Sequence, residues 1–199
     1  VFCLFLKKSK IKKIKKPRLK RFLLFLFHFN SFKKNFNVRS MYNQAIQDLI
    51  PADHKIENTK LYISSGEKKE INKMLNIEKY FVLAPEAAWT QKQFPTHRYV
   101  RILNDIYKKF NLTPVLIGSS NGNICKEIAK GYKNEIINIS GKTSLRESLS
   151  VISNALFVVG SDTGMIHAAE ALSKHVVAVF GPTNKQTGGG LFSKLSEEI

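Results

Sequence analysis

The chain has 199 residues, 43% of them hydrophobic, with 32 Lys and Arg, 15 Asp and Glu, and two Cys. That size fits one good-sized globular domain, or one and a piece of another, and the composition excludes a fibrous or wholly disordered chain. Cys3 and Cys125 lie far apart in no spaced set, which excludes a disulfide framework and a cysteine zinc site and fits a reducing compartment.

The net charge of +17 is concentrated at one end. Residues 1–40 hold thirteen Lys or Arg and no Asp or Glu, so nineteen basic residues face fifteen acidic ones in the rest. The basic stretch "KKSKIKKIKKPRLKRFLLFLFHFNSFKK" is too short in its apolar run, Phe22–Phe29, for a transmembrane helix, which needs about 20 apolar residues. It also lacks the long apolar core and small-residue cleavage site of a secretory signal. The expectation is a basic surface hairpin followed by an amphipathic or half-buried helix. Three roles stay open: a solvated loop and a packed helix, a contact with an anionic membrane surface, or non-specific phosphate binding. No nucleic-acid-binding signature accompanies the charge, so nucleic acid is not an expected partner.

A helix is expected near Val38–Leu49, a break at Pro51, and a polar connector to about Thr59. "KLYIS" reads as a short strand, and "GEKKEINKMLN" as a polar helix with Ile71, Met74 and Leu75 as its apolar stripe. The pattern then becomes regular. "YFVLA", "TPVLIG", "EIINI", "LFVVG" and "HVVAVF" read as buried strands. Between them, "THRYVRILNDIYKKF", "NICKEIAKGY", "SLRESLSVISNA" and "GMIHAAEAL" read as helices, with Thr96 as one N-cap and Ser144 with Glu147 as a capping box. The final "LFSKLSEEI" reads as a helix interrupted at the chain end, which together with a first residue of Val1 suggests a fragment. Strand and helix in alternation predict an α/β fold: a Rossmann-like parallel sheet with helices on both faces. Ligands of such sheets sit beyond the C-terminal strand ends, here the loops after Ala84, Gly118, Ile139, Gly160 and Phe180.

After Gly160 comes "SDTG". Asp162 and Thr163 precede a helix whose first N–H groups are free, and Gly164 permits close approach, so a phosphate or sugar hydroxyl is the natural guest. Asp162 can accept from a hydroxyl or cap the helix, and His167 lies one turn in. A capped helix with a buried histidine is the competing reading. An aspartic-protease role for Asp-Thr-Gly fails for want of a second such motif in an all-β frame. After Ala84, Lys92 stands in an irregular segment from which an ammonium could reach phosphate. After Phe180, "GPTNKQTGGG" offers Thr183, Thr187 and bare backbone. "IGSSNGN" lacks dinucleotide spacing, which argues against a nicotinamide enzyme.

"APEAAWTQKQFP", "VLIGS", "LFVVGSDTGMIHAAEAL" and "VVAVFGPTNKQTG" stand in an order and spacing that resembles glycosyltransferase family 9, the ADP-heptose:lipopolysaccharide heptosyltransferases. The resemblance is good over roughly residues 80–190. It implies the C-terminal, nucleotide-sugar-binding half of a GT-B architecture over 51–199, incomplete at its end. Residues 1–50 would then be a remnant of the acceptor domain with the basic segment and connecting helix. It implies that Lys92 neutralises the donor diphosphate, that Thr163 and Gly164 lie near the phosphates, Asp162 near the sugar, and His167 beside them, with Thr183 also on the donor. Ala88 stands where a hydroxyl residue is common, Glu86 where Gly is common, and the acidic residue that often holds the ribose is not evident in "GSSNGN". The catalytic aspartate base of the family lies in a region these 199 residues do not include, so no catalytic residue is expected in this chain. The implied activity is inverting, metal-independent heptose transfer from ADP-heptose to the lipopolysaccharide inner core. The alternative is a donor-binding domain without turnover. No cofactor or metal is expected; the location implied is the cytoplasm, with peripheral contact at the inner membrane face.

Overall fold

Every side chain of Tyr80–Ala84 is buried, so this strand must be covered on both faces. The structure, a computed structural model, describes residues 14, 16–27, 29–32, 36–45, 48, 51, 59–87, 92–181 and 189–199. The chain divides into two units, residues 1–57 with 185–189, and residues 58–184 with 190–199.

In the first unit, α1 spans Arg18–Phe27 and α2 spans Val38–Ala45. The Asn37 side chain opens α2 by accepting from the Ser40 amide (2.7 Å) and hydroxyl (2.9 Å). On α1, Leu19, Phe22 and Leu26 follow helical spacing and are all exposed. The expected basic hairpin lies almost wholly outside the described residues. No helix among the described residues is long and apolar enough to cross a membrane.

In the second unit, six parallel strands form one sheet in the order β3-β2-β1-β4-β5-β6. They are β1 (Tyr80–Ala84), β2 (Thr113–Leu116), β3 (Ile137–Asn138), β4 (Phe157–Ser161), β5 (His175–Val179) and β6 (Ser196–Glu198). The helices are α3 (Ser65–Leu75), α4 (Thr96–Phe110), α5 (Ile124–Gly131), α6 (Leu145–Asn154) and α7 (Gly164–Ala171). Because strand side chains alternate between faces, β1 feeds two cores. Tyr80, Val82 and Ala84 pack with Ile71 and Leu75 of α3, Val151 and Ile152 of α6, and Ile166 of α7. Phe81 and Leu83 pack on the other face with Tyr99 and Leu103 of α4 and Ile128 of α5. Burial raises the Tyr80 hydroxyl pKa, and that hydroxyl donates to the Val151 carbonyl at 2.8 Å, tying β1 to α6.

Several local expectations give way to tertiary context. Residues 60–64 form no strand: the Leu61 amide bonds the Ala171 carbonyl, and Ser64 caps α3 in a capping box with Glu67. Arg146 of α6 grips Glu67 (2.5 Å) and the Tyr62 carbonyl (2.9 Å); its bond to Glu67, with those from the Ser64 hydroxyl and amide, holds the Glu67 carboxyl down at about 2. Met74 is half exposed, so the α3 stripe is Ile71 and Leu75 alone. Thr96 is the first helical residue of α4 and Pro95 its cap; the Thr96 hydroxyl donates to Glu127 instead (3.0 Å). The final segment contains a strand, because β5 offers an open edge that residues 196–198 occupy in parallel register, Val176 opposite Ser196. The Ser144–Glu147 capping box forms as expected.

Candidate functional site at the β1–β4 crevice

The strand order reverses direction at β1: the chain runs outward through β2 and β3, then returns to place β4 on the other side. In an open parallel sheet that switch point leaves a crevice beyond the C-terminal strand ends. Two loops border it here, residues 85–87 and 92–95 after β1 and residues 162–164 after β4.

The β4 side is anchored from below. Ser161 is fully buried, and its hydroxyl meets that of Tyr99 at 2.7 Å; burial pushes the Tyr99 phenol up to about 12, so it stays a neutral strut. Thr163 caps α7: its hydroxyl accepts from the Met165 amide at 3.1 Å. That corrects the alternative in which Asp162 caps the helix, and it leaves the Asp162 carboxylate for other partners. Its Oδ2 accepts from Lys92 Nζ at 2.6 Å, and Oδ1 lies 3.4 Å from His167 Nε2. The Asp162 side chain is 9% exposed and Lys92 24%, whereas His167, at 44%, opens to solvent rather than being buried. On the β1 side, Gln93 donates to the Ala87 carbonyl (3.1 Å), and Phe94 packs edge-on against Tyr99 at 5.2 Å. Lys92 thus stands on a braced loop.

The structure therefore brings Lys92, Asp162, Thr163, Gly164 and His167 to one edge of the sheet. Thr183 and Thr187 lie outside the described residues, as do Ala88 and Cys3. Among the described residues, no group of three His, Cys, Asp or Glu side chains is placed to share a metal ion.

A cavity of about 350 Å³ opens beside this cluster, lined by Glu86, Ser119, Thr143, Leu145, Thr163 and Gly164 among others. At Gly164 an added Cβ would meet no atom within 4 Å, so nothing in the protein demands glycine there. Gly164→Ala is therefore expected to change unfolding free energy by less than about 0.5 kcal/mol in urea titration. If the cavity takes a diphosphate against the first amides of α7, the same methyl will weaken nucleotide binding severalfold in calorimetry.

Glu86 is the residue sequence reasoning undervalued. Its Oε2 accepts from both the Ser119 amide (2.6 Å) and hydroxyl (2.9 Å), joining the β1 and β2 loops. The carboxylate fits because Gly118 and Gly122 are bare: a Cβ on Gly118 would stand 2.7 Å from its carboxyl carbon, and one on Gly122 would overlap Oε1. Those two glycines, flanking "SSN", were the available signal. Near Glu86, Cys125 is buried with its thiol donating to the Ile117 carbonyl (3.6 Å); burial first, and the Glu86 charge second, push it up to about 12. Native protein at pH 8 should leave the Cys125 peptide unlabelled by a maleimide, with full labelling after denaturation, as mapped by mass spectrometry.

Sequence comparison decides the family. The profile of glycosyltransferase family 9 (heptosyltransferase) matches residues 18–196. The chain belongs to glycosyltransferase family 9. Lipooligosaccharide heptosyltransferase 2 of Haemophilus influenzae is 24% identical over 154 residues, covering 70% of this chain and 44% of that protein. Lipopolysaccharide heptosyltransferase 1 of Salmonella typhimurium is 34% identical over 65 residues, 33% of this chain and 20% of that protein. The solved ADP-heptose lipopolysaccharide heptosyltransferase II of E. coli superposes with a TM-score of 0.68 at 22% identity, covering 83% of this chain and 54% of that one. A family 9 glycosyltransferase of Veillonella parvula gives 0.72 at 15% identity, with 84% and 50% covered. The sheet flanked by helices is thus the fold of about half of a GT-B heptosyltransferase, and the chain spans about half the length of these longer relatives.

Proposed function

We propose that residues 51–199 bind the donor of an inverting, metal-independent heptosyl transfer from ADP-heptose to the lipopolysaccharide inner core, and that residues 1–50 belong to the acceptor-side domain. One observation carries the reading. The Lys92 ammonium and the N-terminus of α7 meet at Asp162–Gly164, above the sheet's switch point. Breaking a sugar–diphosphate bond loads negative charge onto the leaving group, and fixed donors aimed at that charge lower the barrier. A lysine and a helix dipole supply such charge without a metal ion. His167 adds a third donor from the next turn. The family match, and a structure-matched E. coli heptosyltransferase solved with ADP-2-deoxy-2-fluoro heptose, support the donor class. Abstracting the acceptor proton needs a general base, and no residue of this chain is assigned that role.

Thermal-shift measurement on the 199-residue chain tests the reading. ADP at a hundred times its dissociation constant should add about 2.7 kcal/mol of stability, with UDP and GDP adding much less. Equal stabilisation by all three, or none by ADP, would refute the ADP donor. Assayed alone with ADP-heptose and inner-core acceptor, the chain is expected to bind without turnover; measured transfer would require a base among these residues.

The apolar stripe of α1, with Lys16, Arg18, Lys20 and Arg21 around it, fits peripheral contact with the anionic inner face of the cytoplasmic membrane. Vesicles containing phosphatidylglycerol should co-sediment the chain in a salt-sensitive way, and Phe22→Asp with Leu26→Asp should abolish it. Equal recovery on neutral phosphatidylcholine would overturn the assignment.

A further inference from the structure

We infer that Glu170 is a positioning residue for donor binding: its carboxylate ties α7 to residues 192–193 and so fixes where the first amides of the helix stand. This rests on the donor-binding reading above. Glu170 is a charged side chain only 8% exposed, one residue before the end of α7. Both features of that placement are costly. A buried carboxylate forfeits its hydration, and an acid near a helix C-terminus faces the negative end of the dipole. An alanine, like its neighbours Ala168, Ala169 and Ala171, would avoid both costs. What offsets them is a contact made elsewhere in the chain: Oε1 of Glu170 accepts from the amides of Phe192 and Ser193. Hydrogen bonds to an ionised acceptor are roughly twice as strong as neutral ones.

The rest of α7 explains why such a tie matters. Besides Glu170, the buried residues of the helix are Ile166, Ala169 and Ala171. Packed helices are keyed by side-chain ridges set into the grooves of their neighbours. Two of these three residues present only a methyl group, so the face is smooth and Ile166 is its one large knob. A polar tie near the far end then holds the helix along its axis. The segment that receives the tie is itself fixed. Leu191 is buried in the same core as Ile166, its amide donates to Glu198, and the Ile199 amide bonds the Ala178 carbonyl of β5 at 3.0 Å. Glu170 thus pins α7 to a stretch locked onto the sheet. From Glu170 back to Gly164 is about 9 Å of helix, so a slip at one end displaces the other, beside the meeting point of Asp162 and Lys92. Donors aimed at a phosphate act fully only when held within about 0.5 Å of the productive geometry.

Hydrogen exchange and calorimetry on the 199-residue chain test this. Coupling between two sites is reciprocal, so saturating ADP should slow exchange of the Phe192 and Ser193 amides by roughly five- to tenfold, the low end of such couplings. Glu170→Gln keeps the shape and one acceptor oxygen but removes the charge. It should weaken ADP binding by the same factor, while adenosine, which has no phosphate to set against α7, stays within about twofold of the parent. A purely structural role would lower the melting midpoint and leave both the ADP affinity and the effect of ADP on exchange unmoved. Folded Glu170→Gln that binds ADP like the parent, or Phe192 and Ser193 amides that do not respond to ADP, would overturn the inference while donor binding stands. An equal loss of ADP and adenosine would also overturn it, because it marks general loosening and not a displaced helix start. If Glu170→Gln does not fold, exchange in the parent decides alone. If the parent binds no ADP, the donor reading fails and this inference with it.

Discussion

Lys92→Ala should weaken ADP binding by roughly ten- to a hundredfold, the range for losing charge-assisted hydrogen bonds in a partly buried site. Two effects act in the same direction. The ammonium that would meet the diphosphate is gone, and the Asp162 carboxylate, nine-tenths buried and 2.6 Å from that ammonium in the parent, faces the incoming phosphates uncompensated. A second substitution separates them. If repulsion by Asp162 dominates, Asp162→Asn in the Lys92→Ala background restores most of the affinity; if the ammonium meets the diphosphate directly, the double variant stays weak. The expected result is the second: Thr163, not Asp162, caps α7, so Asp162→Asn leaves the helix start intact and the lost ammonium is the difference that remains. AMP, which lacks the β-phosphate, should lose less than ADP. The measurement is isothermal calorimetry with both nucleotides, and parent-like ADP affinity in Lys92→Ala would remove the lysine from the donor site. Because the ion pair is 24% exposed on the lysine side, added salt should screen only part of the effect.

The residues that meet at this crevice were legible in the sequence to the extent that their signals are local. Alternating apolar pentads and amphipathic helices specify a parallel sheet, and the sheet alone puts the loops after Ala84 and Gly160 at one edge. "SDTG" before a helix names its own cap region, but not that Thr163 takes the cap while Asp162 pairs with Lys92, seventy residues earlier. What stayed hidden was non-local. Residues 196–198 look helical alone and become a strand because β5 has an unpaired edge. Residues 60–64 look like a strand, but they find no partner strand, and Ser64 holds the chain in a cap. Glu86 looked like a departure from a family glycine, and its meaning appears only with the bare backbone of Gly118 and Gly122 across the crevice.

Gly160 and Gly164 lie four residues apart and should behave oppositely. Gly160 pairs with Ala84 in the centre of the sheet, between β1 and β5. A Cβ there would overlap the Ala84 carbonyl oxygen and stand 3.0 Å from its carbonyl carbon and 3.1 Å from Ile166 Cδ1. Two of these atoms are backbone in a paired strand and cannot rotate away, so the strands must part. Overpacking of this kind costs about 1–3 kcal/mol, and Gly160→Ala is expected at the top of that range because the obstacle is main chain in the middle of the sheet. In urea the midpoint should fall with little change in slope, since the same surface is exposed on unfolding. Gly164→Ala, with nothing within 4 Å, serves as the control on the same helix–strand junction. The consequence extends to binding. Any shift of β4 moves Ser161 off Tyr99 and carries Asp162 and the start of α7 away from Lys92. Folded Gly160→Ala, assayed well below its midpoint, should therefore bind ADP more weakly than the parent. An unchanged urea midpoint would show that β1 and β4 can separate without cost, and that the strand spacing does not fix the crevice.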